Sequence, residues 1–127
     1  MQLQFCPLFS SSSGNSIFVG TEKTKILIDA GLSGAKITAE LKKIGVNPEE
    51  LSAILVTHEH SDHIAGVGVL SRRYHIPVYA NAGTWAAMNG KLGAIEASNA
   101  VEFETGGDFS IGDLNIRPFA TPHDAAE

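Results

Sequence analysis

The sequence predicts an α/β chain, and three observations carry that prediction. Residues 51–56 are apolar enough to form a buried strand that delivers a turn to a sheet edge. Ile37, Leu41 and Ile44 recur at 0, 4 and 7, the spacing of one helix face. Gly112-Asp113 stands between two short strand-like runs as a hairpin turn.

Taken in order, residues 2–8 read as a strand, 9–15 as a loop and 16–19 as a second strand. A turn at 21–23 leads to a strand at 25–29, a small-residue turn at 30–34 and a helix over 35–44 that Gly45 closes. A short turn at 48–51 precedes the buried strand at 53–56. Beyond the polar run that follows, 64–74 reads as one helix despite Gly66 and Gly68, which close packing would excuse. Residues 77–80 form a strand and 84–88 a helix, while 90–100 carry no clear periodicity. Residues 101–104, 108–111 and 114–119 read as antiparallel strands, the last delivering residues 121–124. The chain has no internal repeat and no low-complexity tract.

A chain of 127 residues fits one core, and 43% hydrophobic content is that of an ordinary globular domain. No run approaches the ~18 apolar residues of a membrane span. The start, Met-Gln-Leu-Gln-Phe-Cys, lacks the basic region of a secretory signal, so the cytoplasm is the expected location. The single cysteine, Cys6, cannot form an internal disulfide and reads as a small buried hydrophobe rather than a nucleophile. A net charge of −5 argues against nonspecific nucleic-acid binding, which needs clustered lysine and arginine. The basic pairs Lys42-Lys43 and Arg72-Arg73 lie on predicted helices, where they read as solvated faces. Bound divalent ions would restore positive charge locally.

The chemistry concentrates in Thr57-His58-Glu59-His60-Ser61-Asp62-His63, where three of the chain's five histidines fall within six residues. His58 and His60, two apart in an extended turn, can face one ion. Asp62 and His63 would then serve a second, because adjacent side chains diverge and four groups crowd one tetrahedral ion poorly. Glu59 and Ser61 alternate with these as outward-facing polar residues would. The plain alternative is a polar surface loop, which ligand spacing over six residues argues against. His75, near a helix C-terminus, reads as an ordinary surface base. Asp29, at a strand end before Ala-Gly, has a turn role as its simplest reading.

Residues 57–66, Thr-His-Glu-His-Ser-Asp-His-Ile-Ala-Gly, resemble the signature loop of metallo-beta-lactamase-fold hydrolases. Residues 10–16 (Ser-Ser-Ser-Ser-Gly-Asn-Ser), 27–33 (Leu-Ile-Asp-Ala-Gly-Leu-Ser) and 121–126 (Thr-Pro-His-Asp-Ala-Ala) resemble the YycJ/WalJ-type branch, which is associated with DNA exonuclease activity. The resemblance implies the N-terminal half of an αββα sandwich, a mixed, mostly antiparallel sheet with helices on one side, spanning residues 1–127. It implies that His58, His60 and His123 hold one metal and Asp62 with His63 the other, Asp62 being also the catalytic candidate. The other half would supply a bridging aspartate and a last histidine. By the same resemblance Asp29 and Asp124 support the ligands from behind, and Ser12, Ser13 and Asn15 face a substrate phosphate.

The reaction so implied is hydrolysis in which two divalent ions, zinc or manganese with iron as a further option, lower the pKa of water to about 7. DNA is the expected substrate. Lactones, thioesters or beta-lactams are the alternative, and an incomplete module that binds metal without turnover is a third reading. Uncovered apolar strand faces on half a sandwich would favour a homodimer.

Overall fold

The computed structural model describes residues 3–11 and 14–118. The candidates Ser12, Ser13, His123 and Asp124, and the expected strand end at Phe119, lie outside the described residues.

Strands β1 (Gln4–Ser11), β2 (Gly14–Gly20), β3 (Lys25–Ile28), β4 (Ala53–Leu55), β5 (Val78–Asn81) and β6 (Ala100–Phe103) form one six-stranded sheet in that spatial order. The sheet is mixed, as expected, but the balance of directions differs along it. β1–β2 and β2–β3 run antiparallel, whereas β3–β4, β4–β5 and β5–β6 run parallel. The expected antiparallel pairing of residues 101–104 with 108–111 is therefore corrected. β6 follows helix α4 (Ala82–Ala87), a crossover that returns it to the sheet parallel to β5. β7 (Phe109–Ile111) and β8 (Leu114–Ile116) form a separate hairpin whose two-residue turn is Gly112-Asp113, with Ile111 paired to Leu114.

Alternation along the strands builds two apolar layers. Phe18, Leu27, Ile54, Val56, Val78 and Ala80 face the helices, against Ile37 and Leu41 of α1 (Gly34–Lys43) and Val67 and Leu70 of α3 (Val67–Tyr74). Ile26, Ala53 and Leu55 face the other way, under Ile111 and Leu114 of the β7–β8 hairpin. Helices thus cover one side of the sheet and the hairpin the other. Cys6 packs against the helix-side core, as a small hydrophobe would.

Two further boundaries differ from expectation. Of the residues expected as a loop over 9–15, the described ones are strand, with Ser10 paired to Asn15 and Ser11 to Gly14 between β1 and β2. The single helix expected over 64–74 is broken into α2 (Ser61–Ile64) and α3 at Ala65-Gly66. The Gly66 N–H leaves the helical ladder for the Ala30 carbonyl at 2.8 Å, and a Cβ at Gly66 would meet the Leu32 carbonyl at 2.4 Å. Contact between this turn and residues 30–32 outweighs helix continuity. Gly45, with φ of 79°, lets Val46 N–H reach back to the Leu41 carbonyl and ends α1.

Candidate metal centre

β3 and β4 run parallel and end at the same sheet edge, so residues 29–32 and 57–63 leave the sheet side by side. Asp29 sits where they meet, at a left-handed φ of 64° that aspartate tolerates better than most residues. Its N–H donates to the Leu55 carbonyl at 2.7 Å and its own carbonyl accepts from the Ser16 hydroxyl at 2.8 Å. The backbone is thus pinned on both sides and the carboxylate turns into the polar loop.

That carboxylate is almost fully buried and accepts from three groups. Thr57 N–H donates to Oδ1 at 2.8 Å, and the Thr57 hydroxyl to Oδ2 at 2.6 Å. His63 Nδ1 lies 2.8 Å from Oδ2. A buried carboxylate makes Nδ1 of His63 the protonated nitrogen, so Nε2 carries the ring's lone pair. The same logic reaches His58 through one more atom. The Thr57 hydroxyl gives its proton to Asp29, so its oxygen accepts from His58 Nδ1 at 3.0 Å, and the lone pair of His58 is again on Nε2. One carboxylate thereby sets the tautomers of two histidines.

The three rings lie together: His58 and His63 have centroids 4.7 Å apart, His58 and His60 6.1 Å. Asp62 Oδ2 lies 3.5 Å from His63 Nε2. Asn15 Nδ2 donates to the Asp62 carbonyl at 3.3 Å and to Oδ2 at 3.1 Å. Below them Gly31 leaves no room for a side chain, since a Cβ there would stand 1.8 Å from the Asp62 carbonyl oxygen. Ala30 N–H binds the His63 carbonyl at 2.9 Å, and Gly31 N–H the Asn15 carbonyl at 2.9 Å. The small-residue turn after β3 is the floor on which the loop rests.

Among the described residues, no three His, Cys, Asp or Glu side chains are closed around a common point at metal-ligand distance. The chemistry of the donors nevertheless fits a divalent ion. Two imidazoles hold their lone pairs on Nε2 through a buried carboxylate, a common support for metal-binding histidines, and Asp62 adds an oxygen beside one of them.

One expectation in the loop is corrected. Glu59 is not simply an outward-facing polar residue, because its Oε2 is buried and has no hydrogen-bond partner among the described residues, whereas Ser61 is exposed. His75 caps α3 at φ 56° on an exposed turn that enters β5 at the opposite edge of the sheet. Arg72 donates to the Leu92 and Ala94 carbonyls at 2.6 and 3.0 Å, Lys43 pairs with Glu40 at 2.7 Å and the Arg73 guanidinium lies 5.6 Å from the Tyr74 ring centroid, so these basic residues have neighbours of their own. Sequence reasoning assigned no role to Thr57. The available signal was a hydroxyl residue placed directly between a buried strand and the first histidine.

The fold and the donor loop together place the chain in a family. A model of the metallo-beta-lactamase superfamily matches residues 11–125, and the chain belongs to that superfamily. It is 48% identical over 127 residues to the exodeoxyribonuclease YycJ of Bacillus anthracis, covering 100% of this chain and 48% of that protein. It is 54% identical over 120 residues to the exodeoxyribonuclease WalJ of Streptococcus pneumoniae D39, covering 93% of this chain and 45% of that one. Among solved structures, the Rm3 metallo-beta-lactamase superposes with a TM-score of 0.75 at 25% identity, over 96% of this chain and 53% of its own. The chain spans about half the length of the curated relatives it matches. Among the described residues, no helix is long and apolar enough to cross a membrane.

Proposed function

We propose that this chain carries the N-terminal half of a metal-dependent phosphodiesterase that acts on DNA as an exonuclease. The observation behind the hydrolase reading is the tie from Asp29 to His63 and, through Thr57, to His58, which presents two imidazole lone pairs beside Asp62. The nuclease reading rests on about 50% identity to two proteins named exodeoxyribonucleases, since a fold by itself does not choose a substrate.

In this reading His58, His60 and His123 hold one divalent ion and Asp62 with His63 a second, zinc or manganese. The ions supply Lewis-acid activation of water near neutral pH and offset charge gathering on the phosphate. The chain's own contribution is to keep both Nε2 lone pairs turned inward, to hold Asp62 against His63, and to present the start of β2 beside the loop. Asp124 acts from behind His123, and Ser12 and Ser13 face the substrate. The remaining ligands come from a second half-domain, and the site lies in the cytoplasm. Leu3, just before the edge strand β1, and Phe5 within it, 58% and 62% exposed, supply apolar surface for pairing with a second copy.

Elemental analysis of the purified chain beside His58→Ala is the first test, followed by release of nucleotides from end-labelled DNA with manganese or zinc. Two ions per chain that the variant loses, together with nucleotide release and no turnover of lactone, thioester or beta-lactam panels, is the expected result. Ester turnover without DNA degradation would move the chain to the alternative substrates. No bound ion would leave the chain as a module that needs its other half.

A further inference from the structure

We infer that Asn15 is a positioning residue for Asp62 and not a substrate contact, an inference that rests on the metal-centre reading above. The family resemblance gives Asn15, in the serine-rich segment, a role toward a substrate phosphate. Its side-chain amide is instead turned onto a residue 47 positions away.

The geometry is specific. One nitrogen carries two protons, and two acceptors on the same residue receive them, the Asp62 carbonyl at 3.3 Å and Oδ2 at 3.1 Å. Bracing the main chain and the carboxylate of one residue together restricts rotation about its Cα–Cβ bond. The rotamer so held is the one that sets Oδ2 3.5 Å from His63 Nε2. Among the described residues no hydrogen bond reaches Oδ1. Asn15 is itself anchored, because its carbonyl accepts from Gly31 N–H at 2.9 Å and it pairs with Ser10 across the β1–β2 hairpin. The Gly31 position admits no side chain between the Asn15 backbone and Asp62.

The consequence is a division of labour within the centre. Asp29 governs His58 and His63 from the sheet, and Asn15 governs Asp62 from the hairpin. The two supports reach the same loop from neighbouring strands, β3 and β2, through separate side chains. The start of β2 is therefore coupled to the carboxylate ligand through the Asn15 side chain.

The test has one arm that needs no metal. Three-bond couplings across the Asp62 Cα–Cβ bond, measured on the metal-free protein, are expected to report one rotamer in the native chain and averaging in Asn15→Ala. In manganese titration, Asn15→Ala should weaken one ion by about 10- to 100-fold and leave any other unchanged. Asn15→Asp, which keeps the size but loses the donors and sets a second carboxylate beside Asp62, should be at least as damaging.

An Asp62 side chain that already averages in the native protein overturns the proposal, even if Asn15→Ala does not fold. So does an Asn15→Ala protein that binds manganese normally while Asp62→Ala does not. If Asp62→Ala loses no ion, the metal-centre reading fails, and the coupling measurement alone decides the role of Asn15.

Discussion

Two aspartates in this molecule do the same local job with very different surroundings. Asp29 ties the histidine loop to the end of β3, accepting from the Thr57 N–H, the Thr57 hydroxyl and His63. Asp113 ties the β7–β8 turn to the β2–β3 turn, accepting from the Thr21 hydroxyl at 2.8 and 3.0 Å while its own N–H donates to the Thr24 hydroxyl at 3.2 Å. Each joins segments distant in sequence through threonine hydroxyls. Asp29 is buried, with a side chain 7% exposed, whereas Asp113 stands in solvent. The lesson is that burial, not the list of bonds, decides what such a tie is worth. Water reaches the Asp113 carboxylate and competes for its partners, and it is largely kept from the Asp29 carboxylate.

The largest effect that would break this contrast is therefore expected at Asp29. Asp29→Ala strands the Thr57 N–H and the His63 ring without their acceptor, and asks alanine to hold a φ of 64°. A loss of about 3 kcal/mol or more is expected by urea denaturation. Asp29→Gly separates the two causes, since it removes the backbone strain and keeps the loss of the carboxylate. If Asp29→Gly is as stable as the native protein, the carboxylate contributes nothing and the comparison collapses.

The same contrast shows why parts of the molecule were legible in the sequence and others were not. The run 53–56 could be read as a buried strand because every position in it is apolar, and its two faces do feed separate cores. The helix over 35–44 was legible from Ile37 and Leu41, both fully buried, and from the Gly45 stop. Direction was not legible at 101–104, because alternation is a property of one strand and says nothing of which neighbour it joins. The break at Ala65-Gly66 was hidden for a related reason, since the carbonyl that draws Gly66 away belongs to Ala30. In the centre, the spacing of histidines pointed to the loop, while the tie from Asn15 to Asp62 depends on a hairpin register that composition does not encode.

A middle-sized effect is expected at Thr57, which shares the Asp29 carboxylate but sits at the loop surface. Thr57→Val keeps the shape and the backbone N–H, and removes the hydroxyl that links Oδ2 to His58 Nδ1. The stability loss should be about 1–2 kcal/mol, the scale of one hydrogen bond to a charged acceptor. The sharper readout is nitrogen-15 shifts of the imidazoles. His58 should become a mixture of tautomers, while His63, held by Asp29 directly, keeps its proton on Nδ1. A His63 that changes as well would mean that the two histidines are not independently supported.

The smallest effect is expected at Asp113, and its sign follows from its partners. Hydrogen bonds from Thr24 and then Thr21 hold its pKa below the ordinary carboxyl value. A carboxyl whose folded pKa is lowered stabilises the fold above its unfolded pKa, and that contribution is lost as the pH falls through the lowered folded value. The clasp between the two turns should therefore be intact from neutral pH to about 4 and open only below it. Amide shifts of Gly112 and Thr24 followed from pH 6 to 2 should report that opening, and Asp113→Asn should remove the transition while leaving the global unfolding midpoint at neutral pH nearly unchanged. Gly112 gives an independent handle on the same contact, because a Cβ there would fall 2.0 Å from the Thr24 hydroxyl oxygen. If Asp113→Asn destabilised the protein as much as Asp29→Gly, exposure would not be what separates the two ties, and the hairpin would have to be regarded as part of the core it covers.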